Sequence, residues 1–150
     1  MQRSIIFCLF LFLTLNAIGQ KLSVTNLRCE YRIDPIGVDI RSPALSWELQ
    51  STQQNVLQTA YRIFVSEDSS SLAKDSRASW DSKKINGAGS VQVAYSGLSL
   101  QSVKKYFWKV TIWDNKGNSC TSAIASWQMG LLTAADWKDA HWIGYDVLPD

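Results

Sequence analysis

Leu100-Gln-Ser-Val-Lys-Lys-Tyr106-Phe-Trp-Lys-Val-Thr-Ile-Trp-Asp114-Asn-Lys-Gly117 is the stretch that decides the fold. Tyr106, Trp108, Val110 and Ile112 stand at alternate positions, so all four share one face of an extended chain. That is the period of a half-buried β-strand. Asp114-Asn-Lys-Gly117 then supplies the residues that close a turn. A leucine six residues before a tyrosine that opens such a strand is the pattern of a tyrosine corner, where the ring hydroxyl bonds back to upstream backbone in a β-sandwich. The stretch predicts a small all-β module with Trp108 inside it.

The same alternation recurs on both sides. Leu27, Cys29 and Tyr31 alternate with Arg28, Glu30 and Arg32, until Asp34-Pro-Ile-Gly37 and Ser42-Pro43 break the run. Leu45, Trp47 and Leu49 form an inward set, as do Tyr61, Ile63 and Val65. Ser66 to Asp75 is polar and has room for one helical turn around Leu72. Trp80 to Ile85 reads as a short edge strand whose Lys83 and Lys84 discourage edge-to-edge pairing. Val91, Val93 and Tyr95 come next, and Ala123, Ala125, Trp127 and Met129 follow the Tyr106 strand. Seven such runs predict an antiparallel two-sheet β-sandwich, fibronectin type III or immunoglobulin-like, over residues 20–130. A long amphipathic helix and an internal repeat are both missing.

Residues 1–19 read as a signal peptide. Arg3 gives the positive start, Ile5 to Leu15 is apolar apart from Thr14, and Ala17-Ile-Gly19 fits a small-x-small cleavage site. Cleavage after Gly19 makes Gln20 the mature N-terminus and implies a secreted or periplasmic protein with no membrane span. Of the 15 Lys and Arg residues only Arg3 is lost, leaving 14 cations against 13 anions. A near-neutral balance with interspersed signs gives no electrostatic footprint for nucleic acid or an anionic membrane. The mature part keeps Cys29 and Cys120. These either pair in an oxidising compartment or are two separate small buried side chains. Cys29 falls in the first strand and Cys120 at the start of the last, and those strands need not be neighbours.

Residues 131–150 depart from the sandwich pattern. They carry Trp137, Trp142 and Ile143 with no strand partner assigned. Aromatics of this size bury about 150–250 Å² each when packed, so the segment either folds back or opens a further domain. The second reading is favoured.

The ordered set Leu27-Arg-Cys-Glu-Tyr31, Pro35-Ile-Gly37, Pro43-Ala-Leu-Ser-Trp47, Gln58-Thr-Ala-Tyr61-Arg-Ile, Trp80-Asp-Ser82, Tyr106-Phe-Trp108-Lys-Val-Thr-Ile-Trp113-Asp, Met129-Gly-Leu-Leu132, Asp136-Trp-Lys138 and Trp142-Ile-Gly144 resembles the start of bacterial α-L-rhamnosidases. The resemblance covers residues 22–145, and the export signal is similar to those of Bacteroides-type polysaccharide degraders. It implies a fibronectin-like sandwich, a second β-domain beginning near Asp136-Trp137, and a catalytic (α/α)-barrel much later. That family removes terminal α-L-rhamnose with inversion, using acidic residues of the barrel. None of those positions exists here, so the resemblance implies no catalytic residue, no cofactor and a non-catalytic role. The implied partners are the following domains of a parent glycosidase and rhamnose-containing glycans.

Read for chemistry, the residues agree. Inverting hydrolysis requires two carboxyl groups about 6.5–9.5 Å apart. Asp34 and Asp39 flank a Pro/Gly turn, and Asp136 and Asp139 sit where a short helix would be capped, so structural roles are the simpler reading. His141 is the only histidine and has no ligand set at metal spacing. Gly-x-Ser-x-Gly and phosphate-binding glycine loops are missing. Trp47 and Trp108 fall on inward faces. Phe107 and Trp113 fall outward, and with Trp137 and Trp142 they are the candidate contacts for carbohydrate or for a neighbouring domain. The alternative to a domain-packing module is a free-standing carbohydrate-binding or cell-surface interaction module.

Overall fold

A computed structural model describes residues 22–74, 78–138, 140, 141, 143 and 144. The expected signal peptide 1–19 with Gln20, the acid Asp139 and the candidate Trp142 lie outside these described residues. The described residues form nine strands: β1 (Leu22–Cys29), β2 (Ala44–Ser51), β3 (Gln58–Ser66), β4 (Trp80–Asp81), β5 (Ile85–Asn86), β6 (Val93–Ala94), β7 (Lys105–Asp114), β8 (Ser119–Thr121) and β9 (Ala125–Gln128). One short helix, α1 (Ser69–Ala73), and a 3-10 turn at Ala134–Trp137 complete the order.

Two antiparallel sheets result. The smaller has the order β1-β2-β6. The larger centres on β3 and β7, with β4 and β5 on the outer edge of β3 and β8 and β9 on the outer edge of β7. Both sheets turn their apolar faces inward. Leu45 and Trp47 come from β2, Ile63 and Val65 from β3, Trp108, Val110 and Ile112 from β7, and Trp127 from β9. Trp108 and Trp127 have no exposed surface, and Trp47 retains 2%. The Trp47 indole N–H is satisfied inside by Gln58 Oε1 at 2.9 Å, and Gln58 Nε2 in turn donates to Gly89 O at 2.8 Å. This removes the penalty of burying an unpaired donor.

The tyrosine corner forms as the sequence predicts. Gln101 N–H donates to the Tyr106 hydroxyl at 3.0 Å while the buried Leu100 packs into the core. The Tyr106 ring stacks on Trp127 at 5.5 Å between centroids. Behind it, Tyr95 packs against Trp127 and Trp80, and Gly97 lies so close beneath the Tyr95 ring that a Cβ there would collide with it. Asp114 closes the β7–β8 hairpin by accepting from Lys116 N, Asn118 N and Asn118 Nδ2 at 2.8–2.9 Å, with Gly117 at φ 85°.

Four details differ from the sequence reading. Tyr31 does not continue the first strand. Cys29 and Arg32 exchange backbone bonds of 2.9 and 3.0 Å around Glu30 and Tyr31, both at positive φ, and the ring of Tyr31 faces solvent. This is a two-residue turn of the type that normally takes Asn-Gly, so Glu-Tyr gave no signal for it. Trp80 to Ile85 is two short strands, separated where Lys83 adopts φ 59°. Only Val93–Ala94 of the Val91–Tyr95 run pairs, and Val91 is exposed. Asp34 reaches beyond its own turn and accepts from Ser126 N at 2.6 Å. Residues 35–38 are thereby laid along β9 and make a parallel bridge, Val38 to Met129. The helical turn is as predicted: Asp68 caps α1 through the N–H groups of Ser70 and Ser71, and Leu72 is buried.

The corner and the central indole should separate by magnitude. Tyr106→Phe leaves the Gln101 donor without its acceptor and should lower the unfolding free energy by about 1 kcal/mol in urea titrations. Trp108→Ala should lower it by about 3–5 kcal/mol. A Tyr106→Phe variant indistinguishable from the parent would show that the corner adds no stability.

Candidate carbohydrate-facing and interdomain surfaces

Two surfaces carry the candidate residues. The first is the outer face of the larger sheet. Strand alternation sends Arg62 and Phe64 of β3 and Phe107, Lys109, Thr111 and Trp113 of β7 to this side. α1 covers part of it: the Lys109 ammonium donates to the Leu72 carbonyl at 2.5 Å and lies 5.7 Å from the Phe64 ring, so that a lysine on an outward position is 93% buried (7% exposed). Arg62 lies over the other side of this cluster, 4.5 Å from the Phe64 ring centre. It is held there by Asp81, which accepts from Arg62 Nε and Nη2 at 2.8 and 2.7 Å and from Lys83 Nζ at 2.9 Å.

Phe107 and Trp113 are both half-buried, and each carries a cation. Lys105 Nζ stands 5.3 Å from the Phe107 ring and Lys84 Nζ 4.4 Å from the Trp113 ring. These are cation–π distances. Six residues along β7, at about 3.4 Å per residue, place the two rings roughly 20 Å apart. Phe107 and Trp113 therefore do not form one platform for a single sugar.

The second surface surrounds the point where the chain leaves the sandwich. Gly130 N–H donates to Val38 O at 2.7 Å, and Gly130 O accepts from Val103 N at 3.1 Å. A Cβ at Gly130 would meet the Gly37 backbone at 3.2 Å, so the close approach depends on glycine here. Asp136 then acts as a knot. Its Oδ2 accepts from Ser102 Oγ, Leu132 N, Thr133 N and Thr133 Oγ1 at 2.7–3.1 Å. Arg41 Nη2 adds a bond of 3.2 Å to Leu132 O. The start of the tail, expected to diverge from the sandwich, is thus fastened to two of its loops as far as Asp136. Trp137 follows with 54% of its surface exposed, and Ile143 with 97%. Phe107 and Trp113 belong to one face and Trp137 to the exit, so the candidates do not converge on one site.

Among the described residues, the carboxylates that depart from ordinary values move downward. Hydrogen bonds from Ser70 and Ser71 take Asp68 to about 2. Asp81 is held well below the usual range by its bond from Arg62. Burial raises Asp114, but the combined bonds from Asn118 and Lys116 outweigh it and the net shift is down. Asp136 is lowered first by Ser102 and then by Thr133. A general acid for glycoside cleavage requires the opposite, a carboxyl raised toward neutrality. Among the described residues no group of three His, Cys, Asp or Glu side chains converges as a metal site. Cys29 and Cys120 are both free thiols, and burial, followed by the charge of Glu30, pushes Cys29 up to about 12. Pairing was one of two open readings, and these separate positions follow the other.

Residues 24–133 match a family model described as the Rha78A-like N-terminal immunoglobulin domain. The chain belongs to this family. An α-L-rhamnosidase of Streptomyces avermitilis is 37% identical over 123 residues, which is 81% of this chain and 12% of that protein. The solved α-L-rhamnosidase of Dictyoglumus thermophilum superposes with a TM-score of 0.74 at 34% identity, over 77% of this chain and 13% of that one. The Streptomyces avermitilis enzyme solved with L-rhamnose gives 0.74 at 35% identity, over 79% and 11%. The chain spans about 12% of the length of the curated relatives it matches. As a Rha78A-like N-terminal immunoglobulin domain it is the all-β fold expected from the strand pattern, and the family resemblance drawn from its motifs holds.

Two predictions concern these groups. A carboxylate whose folded pKa lies below its unfolded value of about 3.9 stabilises the fold above that value and loses the effect as pH falls through the folded one. Asp68, Asp81, Asp114 and Asp136 all have this sign. Stability should be level from about pH 7 to 5 and fall below about pH 4, and Asp81→Asn should flatten that fall. Urea titrations of both chains across this range measure it. In the second test, a haloacetamide at mildly alkaline pH should label Cys120 in the folded chain and reach Cys29 only after denaturation.

Proposed function

We propose that this chain is the non-catalytic N-terminal sandwich of an exported α-L-rhamnosidase-like glycoside hydrolase acting on terminal α-L-rhamnose with inversion. The sandwich occupies residues 20–130, and residues 131–150 lead into a following β-domain. Its role is to pack against the later domains and stabilise the whole enzyme. The observation that carries this reading is the extent of the match: residues 24–133 correspond to an N-terminal domain, and the α-L-rhamnosidases that share it are about eight times longer than the matched part. The downward-shifted carboxylates support it, since none is prepared to protonate a leaving group. Arg3, the apolar run to Leu15 and Ala17-Ile-Gly19 support export to the periplasm or the outside.

The test has two arms. The purified chain should hydrolyse no aryl α-L-rhamnoside and give no heat when titrated with L-rhamnose. Removing the matching domain from the Streptomyces avermitilis enzyme and restoring it with this chain should respectively shorten and recover the half-life of activity on heating. Turnover by the isolated chain would overturn the proposal. Saturable heat with rhamnosylated oligosaccharides, abolished by Trp113→Ala, would favour a carbohydrate-binding module instead.

A further inference from the structure

The exit of the chain is bordered by apolar side chains that the sandwich leaves uncovered. Ile36 and Ile40 belong to the loop that runs along β9, and they are 77% and 46% exposed. Leu98, 71% exposed, lines a hollow shared with Arg41, whose guanidinium holds Leu132 O. Val103, 58% exposed, donates its N–H to Gly130 on the opposite side. The departing segment Gly130–Asp136 runs between these two borders, and Trp137 stands at its end. The outer face of the larger sheet is different in kind, since its aromatic rings already carry Lys84, Lys105 and Arg62.

Val103 adds an independent observation. Its φ is 66°, in the left-handed region that disfavours a β-branched side chain most strongly. Asparagine or glycine would suit that backbone better, and burial does not compensate the valine, because its side chain faces solvent. Among the described residues no contact of the buried core rewards a valine at this position. Strained residues that persist in this way cluster at functional sites.

We propose that Ile36, Ile40, Leu98 and Val103 form the docking face for the domain that follows this one in the parent rhamnosidase, and that the Asp136 knot aims the chain into it. This rests on reading the chain as an N-terminal module. The occupant follows from continuity: the family model places this fold at the N-terminus, most of each relative lies beyond the matched part, and the chain emerges between the two borders of the strip. Because the exit segment is bonded on both sides, the following domain starts within reach of the strip, and burying these four side chains involves little additional loss of chain freedom.

The test places this chain, through its own residues 131–150, at the head of the Streptomyces avermitilis enzyme in place of the matching domain. Ile36→Ser, Ile40→Ser and Val103→Asn are combined. The isolated chain should keep its melting temperature, since the first two are exposed and asparagine relieves the backbone at 103. In the joined enzyme the same changes should split one unfolding transition into two and shorten the half-life of rhamnosidase activity on heating by about tenfold. If the triple variant weakens the isolated chain, Val103→Asn alone carries the comparison, with opposite signs expected in the two settings. An unchanged half-life, with a loss instead from Phe107→Ser and Trp113→Ser, would overturn the docking face while leaving the module reading intact. Two unlinked transitions in the joined enzyme before any substitution would remove both.

Discussion

Everything in this module is registered on the alternation along β7. Because successive side chains point to opposite faces, Tyr106, Trp108, Val110 and Ile112 are committed to the interior once Trp108 is buried, and Phe107, Lys109, Thr111 and Trp113 to the exterior. A slip of one residue would bring a lysine into the core and put two large aromatics and two branched aliphatics into water. The tyrosine corner reinforces the register from outside the strand: Gln101 N–H reaches the Tyr106 hydroxyl only if the loop before β7 folds back over Leu100. That same loop presents Ser102 and Val103 to the departing chain. The central strand therefore sets both the core and the position of the exit.

Five of the described aspartates are built into this architecture. Asp34 ties the β1–β2 connection to β9, Asp68 caps α1, Asp81 clamps Arg62 over Phe64, Asp114 closes a hairpin and Asp136 knots the exit. Each accepts two or more hydrogen bonds, and in Asp68, Asp81, Asp114 and Asp136 those bonds favour the charged form. These five carboxylates serve as structural acceptors. The downward shifts and the family membership point the same way by different routes.

Local pattern made the core legible. The inward sets around Trp47, Ile63, Trp108 and Trp127, the Asp114 turn, the capped turn at Leu72 and the corner at Tyr106 follow from period-two alternation and side-chain-to-backbone bonding over a few residues. What escaped depends on distance in sequence. Asp34 meets Ser126 and Ser102 meets Asp136 across separations of 92 and 34 residues, which no local window contains. The Glu30–Tyr31 turn escaped because its positive φ values are carried by residues without turn preference. Lys109 escaped for a subtler reason. Its position in the alternation marks an exterior residue, and only the arrival of α1 on that face buries it, leaving the Leu72 carbonyl as an acceptor for its ammonium.

α1 also bears on which faces are open. By taking up the Lys109 ammonium it buries a charged side chain in the middle of the larger sheet's exterior, flanked by rings that already hold cations. A cation over an aromatic ring satisfies the ring's quadrupole and occupies one of its two faces, so a sugar or a second protein must displace it or use the other side. Among the described residues nothing covers the exit in this way, and the apolar side chains there stand beside a backbone held by bonds on both flanks. A rigid exit bordered by uncovered aliphatics transmits orientation to whatever is attached, whereas a loose linker would transmit only proximity. The Asp136 knot is what separates these two cases, and it ties the direction of the exit to the same loop that the Tyr106 hydroxyl holds in place.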